Sequence, residues 1–289
     1  MTPTTRFAPS PTGYLHLGHV VNAIYVWGLA RARGGRVLLR IEDHDRIRSR
    51  PAFEHAILED LVWLGFVRGE GPASVRRQSD SGTAYAKALA ALQATHHVYA
   101  CDCSRKEFGG DRYPGTCRQR RLLPGDTVPP GTGVRVHLDA RPESFTDGAL
   151  GEIVQTPAEQ CGDLLLKDRD GHWTYQFAAT VDDMNDAVDL VVRGLDLLSS
   201  TGRQIKLARM LGRPRPPAFV HHPLIIKPDG EKLSKASGDT GVRELRAAGI
   251  GPAAVIGRAA AAVGLIDRLG PIEADAVWKL TGASERGRT

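Results

Sequence analysis

Apolar residues change their spacing along the chain, and the first hundred residues show this most clearly. Residues 5–8 predict a short strand, followed by a proline-containing loop that ends at Gly13. From Gly18 onward, apolar residues recur with helical spacing until a glycine pair at 34–35, so this segment predicts a helix that ends at glycine. The run Arg36–Ile41 shows no clean alternation, which is typical of a strand buried on both faces.

The alternation of strand and helix continues to residue 64 and returns in the second half of the chain. Residues 51–64 predict a second helix with proline in its first turn. Together with the preceding elements this favours a right-handed parallel βαβ unit. Residues 187–192 then predict a strand and residues 196–211 a helix, and an alanine-rich helical tail starts at Pro252. The fold class expected is α/β, with a Rossmann-type parallel sheet.

The segment between the two halves departs from this rhythm. Residues 100–160 are rich in proline and glycine and contain short strand-like runs, such as 134–138. We interpret this segment as an inserted module. The predicted organisation is a first half of the catalytic domain (1–99), the insert (100–160), a second half (161–212), and a loop region with a helical tail (213–289).

Composition and charge exclude some classes of protein but do not identify the function. The 289 residues carry a formal net charge of +5, which suits a polyanionic partner but discriminates weakly. Four cysteines in a chain of this length do not make a disulfide framework. The chain has neither a signal-like N-terminus nor an apolar stretch of membrane-spanning length. We therefore expect a cytoplasmic protein with no membrane partner, and no obligate protein partner is evident.

A first candidate for chemistry lies between the first strand and the first helix. The segment Pro-Ser-Pro-Thr-Gly-Tyr-Leu-His-Leu-Gly-His spans residues 9–19. A helix start favours an anion, because its N–H groups lack partners and the helix dipole is positive there. Gly18 would let the backbone approach a flat ring, and His16 and His19 can donate to phosphate oxygens. A His-x-Gly-His alone is often incidental, so the strand before it and the helix after it carry the interpretation.

A second candidate is the basic sequence Lys232-Leu-Ser-Lys235, which lies in a loop predicted over residues 227–241. Two lysines three residues apart on a loop can close over a triphosphate and neutralise its charge. In isolation this would be a solvated basic turn. Its position far downstream of the histidine motif favours a phosphate-binding role.

The insert holds a group of potential metal ligands. Cys101, Cys103 and Cys117 lie within 17 residues, together with Tyr113. Thiolates bind Zn²⁺ well, and tetrahedral sites need four ligands. From spacing alone, the fourth ligand would be Cys161, His96 or His97, since tyrosine is an unusual ligand. Otherwise Cys161 would be an ordinary buried thiol, and the alternative for the whole group is unrelated reduced cysteines.

These motifs resemble those of the class I aminoacyl-tRNA synthetases. His16-Leu-Gly-His19 is similar to the HIGH signature and Lys232-Leu-Ser-Lys-Ala236 to KMSKS, with Leu233 and Ala236 departing from the pattern. The resemblance implies ATP as substrate with Mg²⁺, catalytic roles for His16, His19, Lys232 and Lys235, and ATP contacts from His16, Gly18, His19 and Lys235.

Three further blocks resemble the glutamyl branch of that class, namely residues 6–13, 40–43 and 192–204. Glutamate needs cations for its carboxylates and an anion for its ammonium. Arg6 or Arg193 would suit a carboxylate, and Glu42 the ammonium. The resemblance carries glutamate binding onto Arg6, Phe7, Ala8, Pro9, Ser10, Glu42, Tyr175 and Arg193.

The cysteine pattern sharpens the resemblance. Short glutamyl-queuosine tRNA(Asp) synthetases carry a Cys-x-Cys…Tyr-x-x-x-Cys zinc site, which matches Cys101, Cys103, Tyr113 and Cys117. After Lys235 only 54 residues remain (289 − 235), too few for the anticodon-binding domain of full glutamyl-tRNA synthetases. The family implies that glutamate is placed on the queuosine base of tRNA(Asp), with one structural Zn²⁺.

Adenylation needs no protein nucleophile, and no nucleophilic triad stands out in the sequence. Three other functions stay open at this stage. The chain could be a truncated or paralogous glutamyl-tRNA synthetase that charges a tRNA 3′ end. It could be a non-catalytic regulator that binds glutamate or ATP, although intact histidines and lysines argue against this. A zinc-module RNA-binding protein would leave the order of the two phosphate motifs unexplained.

Overall fold

The computed structural model describes residues 2–67, 75–226 and 241–281. They pack as two compact units. The first unit comprises Met1–Arg77, Val188–Leu197 and Ala218–Thr289, and the second comprises Gln78–Ala187 and Leu198–Pro217. No helix among the described residues combines the length and apolarity needed to cross a membrane. The sequence-based boundaries at residues 99, 160 and 212 divide the chain differently and stay a prediction.

Strands and helices alternate through most of the chain. In chain order they are β1 (Thr4–Phe7), α1 (Leu17–Ala32), β2 (Arg36–Ile41), α2 (Pro51–Trp63), β3 (Val75–Arg77), α3 (Gly82–Thr95), β4 (Val98–Cys101), α4 (Arg105–Phe108), β5 (Gly133–Val136), β6 (Glu143–Asp147), β7 (Gly151–Gln155), α5 (Pro157–Cys161), β8 (Leu164–Lys167), α6 (Tyr175–Asn185), β9 (Leu190–Gly194), α7 (Leu198–Met210), β10 (Ala218–His222), α8 (Val242–Ala247), α9 (Pro252–Ala262) and α10 (Trp278–Thr281).

The first unit contains the predicted parallel strands. β1 pairs with β2 and β2 with β3, in both cases in parallel, and β9 pairs in parallel with β10. β9 also lies beside β1, because Asp189 N–H donates to Thr4 O over 3.0 Å and the Arg6 guanidinium donates to Val192 O over 3.3 Å. These contacts advance along both strands in the same direction. The order is therefore β3-β2-β1-β9-β10, which reverses between β1 and β9, where doubly wound folds bind nucleotides.

The best-predicted elements are those with the strongest apolar signal. β2 has the predicted bounds, and α1 starts one residue before the predicted segment and ends just before the glycine pair. α1 buries Val20, Ile24 and Leu29 among others, as its helical spacing required. The parallel α/β class is therefore confirmed for this unit.

Five further predicted elements have different bounds, and two of them, β1 (predicted over 5–8) and α2 (predicted over 51–64), are off by one residue only. The strand expected over residues 187–192 begins at Leu190, because Ala187 adopts a left-handed backbone with φ of 51° directly after α6. The helix expected over 196–211 begins with a 3-10 turn at Leu195–Leu197, before α7. The strand-like run at 134–138 is β5, which ends at Val136. Of the predicted loop over 227–241, only Gly241 lies among the described residues.

The second unit is built on antiparallel strands. β5 is the central strand between β4 and β8, and β6 pairs with β7 in antiparallel fashion. β6 alternates buried and exposed residues, as expected for a strand with one buried face. The apolar core joins β4, β5 and β8 to α3, α6 and α7 through residues such as Leu92, Val134 and Phe177. This core gives the predicted insert more apolar support than its proline and glycine content suggested.

One carboxylic acid of the first unit is buried without a full set of hydrogen-bond partners among the described residues. Asp60 on α2 is 2% exposed, and its Oδ2 has no hydrogen-bond partner among the described residues. Burial raises the pKa of Asp60 to about 6, outweighing the attraction of Arg246 and Arg243. The native state therefore holds this proton more tightly than the unfolded chain does. Its stability should fall as pH rises from about 4 to about 6, and the cost should persist above that range.

Asp60→Asn should therefore stabilise the protein at neutral pH. We expect the free energy of unfolding at pH 7.5 to rise by on the order of 1–3 kcal/mol, because the buried charge is removed, and to change little at pH 4. Chemical denaturation at the two pH values measures this. Asp267→Asn is the control, because Asp267 is an exposed carboxylate of the same unit and is not among the groups that act on Asp60. An equal gain at both pH values would rule out ionisation of Asp60 as the cause.

Candidate active site

The loop after β1 brings both predicted histidines to the start of α1. His16 is the N-cap residue, and its Nδ1 accepts the Gly18 N–H over 3.1 Å. His19 Nδ1 accepts the His16 N–H, also over 3.1 Å, so the two rings cap the helix reciprocally. Their ring centroids lie 4.0 Å apart. Because each Nδ1 accepts, the proton of each neutral ring sits on Nε2, which makes Nε2 a donor suited to phosphate oxygens.

Gly18 is needed for this arrangement. A Cβ at this position would lie 2.9 Å from His16 Cε1 and 3.0 Å from its Nδ1. The glycine thus keeps the His16 ring folded back over the first turn of the helix. This is a structural reason for the residue, beside the predicted approach of a flat ring to the backbone.

The described chain resumes directly against this motif. Val242 N–H donates to Leu15 O over 2.9 Å, and Gly241 forms an isolated antiparallel bridge with His16. The end of the segment that carries the second predicted motif is therefore attached to the histidine loop. Lys232 and Lys235 themselves lie outside the described residues, and their catalytic roles stay predictions.

Three predicted glutamate-binding residues lie at the carboxyl ends of neighbouring strands. Arg6 on β1 and Arg193 on β9 are both buried, with 4% and 3% exposure. Arg193 Nε donates to His221 Nε2 over 3.1 Å, and this hydrogen bond orients the guanidinium. Glu42 follows β2 directly, and Arg40 Nη2 lies 3.2 Å from its Oε1. The edge thus combines cations and an anion, as the recognition of glutamate requires.

The other residues predicted to bind glutamate differ in their burial and in the unit to which they belong. The Phe7 side chain is 1% exposed and packs on Trp27 at a ring distance of 5.1 Å, so a ligand contact would come from its backbone. Pro9 O accepts the Glu42 N–H over 3.0 Å and joins the loop to the end of β2. Ala8 and Ser10 are half-buried in the same loop. Tyr175 is the first residue of α6 and belongs to the second unit.

The cysteine group assembles in the second unit. The sulfur atoms of Cys101, Cys103 and Cys117 all lie within 4.8 Å of one another. Tyr113 Oη lies 3.3 Å from Cys101 Sγ and 4.0 Å from Cys103 Sγ, and it accepts the Cys117 N–H over 2.9 Å. Burial acts to raise the pKa of Cys101, but the hydrogen bonds of Tyr113 and Arg135 outweigh it and lower the pKa. The structure thus brings together the four residues that the resemblance implied.

These distances suit a tetrahedral metal. Zn–S bonds of about 2.3 Å place two ligand sulfurs roughly 3.8 Å apart, and the separation of Cys103 and Cys117 is 3.6 Å. The other three candidates for the fourth ligand are engaged elsewhere. His96 contacts Thr95, His97 Nε2 contacts Arg118 O, and Cys161 Sγ donates to Pro157 O. Cys161 is half-buried, so its description as a buried thiol was too strong.

Two supporting residues were missed in the sequence. His221, at the end of β10, orients Arg193. Asp163 is a buried carboxylate that accepts from Arg118 at 2.6 and 3.0 Å and from Tyr99 at 2.6 Å. Burial would raise the pKa of Asp163, but these bonds hold it below its usual range. Neither residue lies in a motif, so its role shows only when the strands are paired.

The fold and the site together define a class. The family model for the catalytic domain of class I tRNA synthetases (E and Q) matches residues 3–260, and the chain belongs to this family. It is accordingly an ATP-dependent ligase of the aminoacyl-tRNA synthetase type.

Two named relatives and one solved structure show which members of this class the chain is similar to. A glutamyl-Q tRNA(Asp) synthetase of Symbiobacterium thermophilum is 42% identical, with 92% of this chain and 88% of the relative covered. A glutamate–tRNA ligase of Acidithiobacillus ferrooxidans is 38% identical, and the match covers 89% of this chain but only 56% of that protein. The crystal structure of a glutamate–tRNA synthetase from Elizabethkingia anophelis superposes with a TM-score of 0.77 at 28% identity, covering 96% of this chain and 65% of that one.

The glycine in the histidine loop gives a test of the site geometry. Gly18→Ala should displace the His16 ring and lower ATP–pyrophosphate exchange by about tenfold or more, since small misplacements near reacting groups are costly. Gly82→Ala is a matched control, because Gly82 also opens a helix and has open space where the new Cβ would lie. Equal exchange rates for the two variants, with similar melting temperatures, would contradict the role given to the His16 ring.

Proposed function

We propose that this protein activates L-glutamate with ATP, without tRNA, and transfers the glutamyl group to the queuosine base in the anticodon of tRNA(Asp). The observation that carries the proposal is the edge formed by β1, β2 and β9. It combines two histidines that cap the start of α1 with buried Arg6 and Arg193 and with Glu42. Phosphate donors and charges complementary to glutamate thus occur in one unit.

In the proposed first step, a carboxylate oxygen of glutamate attacks the α-phosphorus of ATP and pyrophosphate leaves. The chain supplies orientation and charge rather than a nucleophile. The Nε2–H groups of His16 and His19 would donate to phosphate oxygens. Lys232 and Lys235, by resemblance, would neutralise the leaving pyrophosphate together with Mg²⁺. One arginine would hold a glutamate carboxylate, and Glu42 the ammonium.

The acceptor is supported by a different line of reasoning. Relatives of comparable length, such as the Symbiobacterium protein, are glutamyl-Q tRNA(Asp) synthetases, and the match covers most of both chains. The glutamate–tRNA ligases match over little more than half of their own length. The proposal includes a cytosolic location, in keeping with the reduced cysteines expected from the sequence.

The proposal also includes one structural zinc ion held by Cys101, Cys103, Tyr113 and Cys117. Its support is the spacing of the donor atoms and the small apolar cluster around them, which packs little besides Tyr99 and Phe108. A metal would stabilise a segment with so small a core.

The first experiment is glutamate-dependent ATP–pyrophosphate exchange without RNA. We expect exchange with glutamate, and none with glutamine or aspartate, because the site needs the spacing and charge of the γ-carboxylate. Absence of exchange in any condition would favour the non-catalytic regulator. Exchange that requires tRNA(Glu) would instead favour the ligase that charges a 3′ end.

The second experiment identifies the acceptor. Radiolabelled glutamate is offered with tRNA(Asp) from cells that make queuosine and from cells that do not. We expect labelling of the first only, and the label should survive removal of the 3′-terminal nucleotide. Label lost with that nucleotide would contradict the queuosine acceptor while leaving adenylation intact.

Zinc binding is tested by substitution in the cluster. Cys103→Ser should reduce bound zinc from about one equivalent to well below half, because three ligands hold the ion more weakly than four. Cys161→Ser is the matched control, since Cys161 lies outside the cluster. Metal content is measured by mass spectrometry after dialysis against a chelator. Full retention of zinc by Cys103→Ser would remove this residue from the site.

A further inference from the structure

The short helix α8 packs against the loop that leads into the histidine motif, and both belong to the first unit. Its buried face is apolar, because Val242 is 0% and Leu245 is 5% exposed. Arg243 follows Val242 directly and lies on the exposed side of the helix. It belongs to no motif found in the sequence, so its role has to be read from its contacts.

The guanidinium of Arg243 covers an aromatic ring of that loop. Its Cζ atom lies 4.4 Å from the centre of the Tyr14 ring. Phe53 of α2 meets the same ring edge to face, with 4.9 Å between the ring centroids. The Tyr14 side chain is 36% exposed, so burial alone does not fix its position. The cation–π contact and the ring pair both contribute to holding it in place.

Tyr14 lies two residues before His16, the N-cap of α1. The residue between them, Leu15, is 1% exposed, and its carbonyl oxygen accepts the Val242 N–H over 2.9 Å. Consecutive residues of α8 therefore hold consecutive residues of the loop, one through a side chain and one through the backbone. Because the backbone of residues 14–16 sets the direction in which the His16 ring leaves the chain, these contacts orient its Nε2 donor.

A second arginine of α8 provides an internal comparison. Arg246 Cζ lies 5.4 Å from the centre of the Trp63 ring, which belongs to α2 rather than to the loop. Arg246 is also exposed, and both arginines attract the buried carboxylate of Asp60. The two side chains thus share their helix, their exposure and their effect on Asp60. They differ in the ring that each one covers.

We propose that Arg243 is a positioning residue for the activation of glutamate, because its guanidinium holds the Tyr14 ring and so orients His16 toward the ATP phosphates. The inference rests on the phosphate-binding role that the proposed function gives to the histidines. In this role Arg243 touches neither substrate nor reacting atoms and acts through Tyr14 alone. A cation–π contact at an exposed site corresponds to roughly a two- to fivefold change in an equilibrium, so its loss should weaken ATP binding without abolishing activity.

The test is glutamate-dependent ATP–pyrophosphate exchange, with ATP and glutamate titrated separately. Arg243→Met should raise the apparent KM for ATP about threefold and leave that for glutamate within about 1.5-fold, because only the ring that leads into His16 loses its partner. Arg243→Lys should stay close to the wild type, since an ammonium also binds an aromatic face. Arg246→Met is the matched control and should change neither constant. Similar melting temperatures for all three variants are expected, because both arginines are exposed.

A double-mutant cycle with Tyr14→Leu separates positioning from direct contact. If Arg243 acts through the Tyr14 ring, Arg243→Met should have no further effect on the KM for ATP in the Tyr14→Leu protein. A full threefold effect in that background would assign Arg243 a direct contact with ATP and overturn the positioning role.

The remaining outcomes separate this inference from the proposed function. The same KM for ATP in Arg243→Met and Arg246→Met would overturn the inference while leaving glutamate activation intact. Equal losses in both variants, with lowered melting temperatures, would show that α8 contributes stability only, and this would overturn it as well. A wild-type protein without glutamate-dependent exchange would contradict the proposed function, and the inference with it.

Discussion

The hydrogen bonds between Thr4 and Asp189 are the constraint on which the first unit depends. Asp189 Oδ1 accepts the Thr4 N–H over 2.7 Å, and its own N–H donates to Thr4 O, across 185 residues of sequence. These bonds place β9 next to β1 and so create the point where the strand order reverses. Arg6 and Arg193 become neighbours only because of this pairing. A local motif supplies the histidines, but the pairing of the two strands that carry the arginines comes from a long-range contact.

Sequence reasoning succeeded where one periodic signal dominated. β2 and α1 had clear apolar patterns and clear stops, and the structure follows both. It placed the start of β9 too early because the apolar residues Ala187 and Val188 come shortly before the strand, whereas the backbone of Ala187 turns left-handed after α6. The gathering of Cys101, Cys103, Cys117 and Tyr113 in one cluster was predictable from their spacing and the family resemblance together. Spacing alone would have chosen His96, His97 or Cys161 over Tyr113.

Side chains that act through others could not be predicted in this way. His221 orients Arg193 from the adjacent strand, and the pairing of β9 with β10 is needed to see it. Arg135, Gln176 and Arg203 come from three separate elements and share no spacing. Their common feature is an unpaired buried atom, which exists only in the folded chain. Patterns thus identify catalytic motifs more readily than they identify side chains that are brought together only by folding.

Asp163 connects the cysteine cluster to the buried side chain of Arg135. Its carboxylate accepts from Arg118, which follows Cys117 directly, and from Tyr99, which lies on the strand that ends at Cys101. Its carbonyl accepts from Arg135, whose guanidinium in turn covers the Tyr113 ring. A metal that fixes the cysteines would therefore also fix Arg135. Loss of such a metal would therefore loosen a side chain that is not one of its ligands, because the same buried residue supports both.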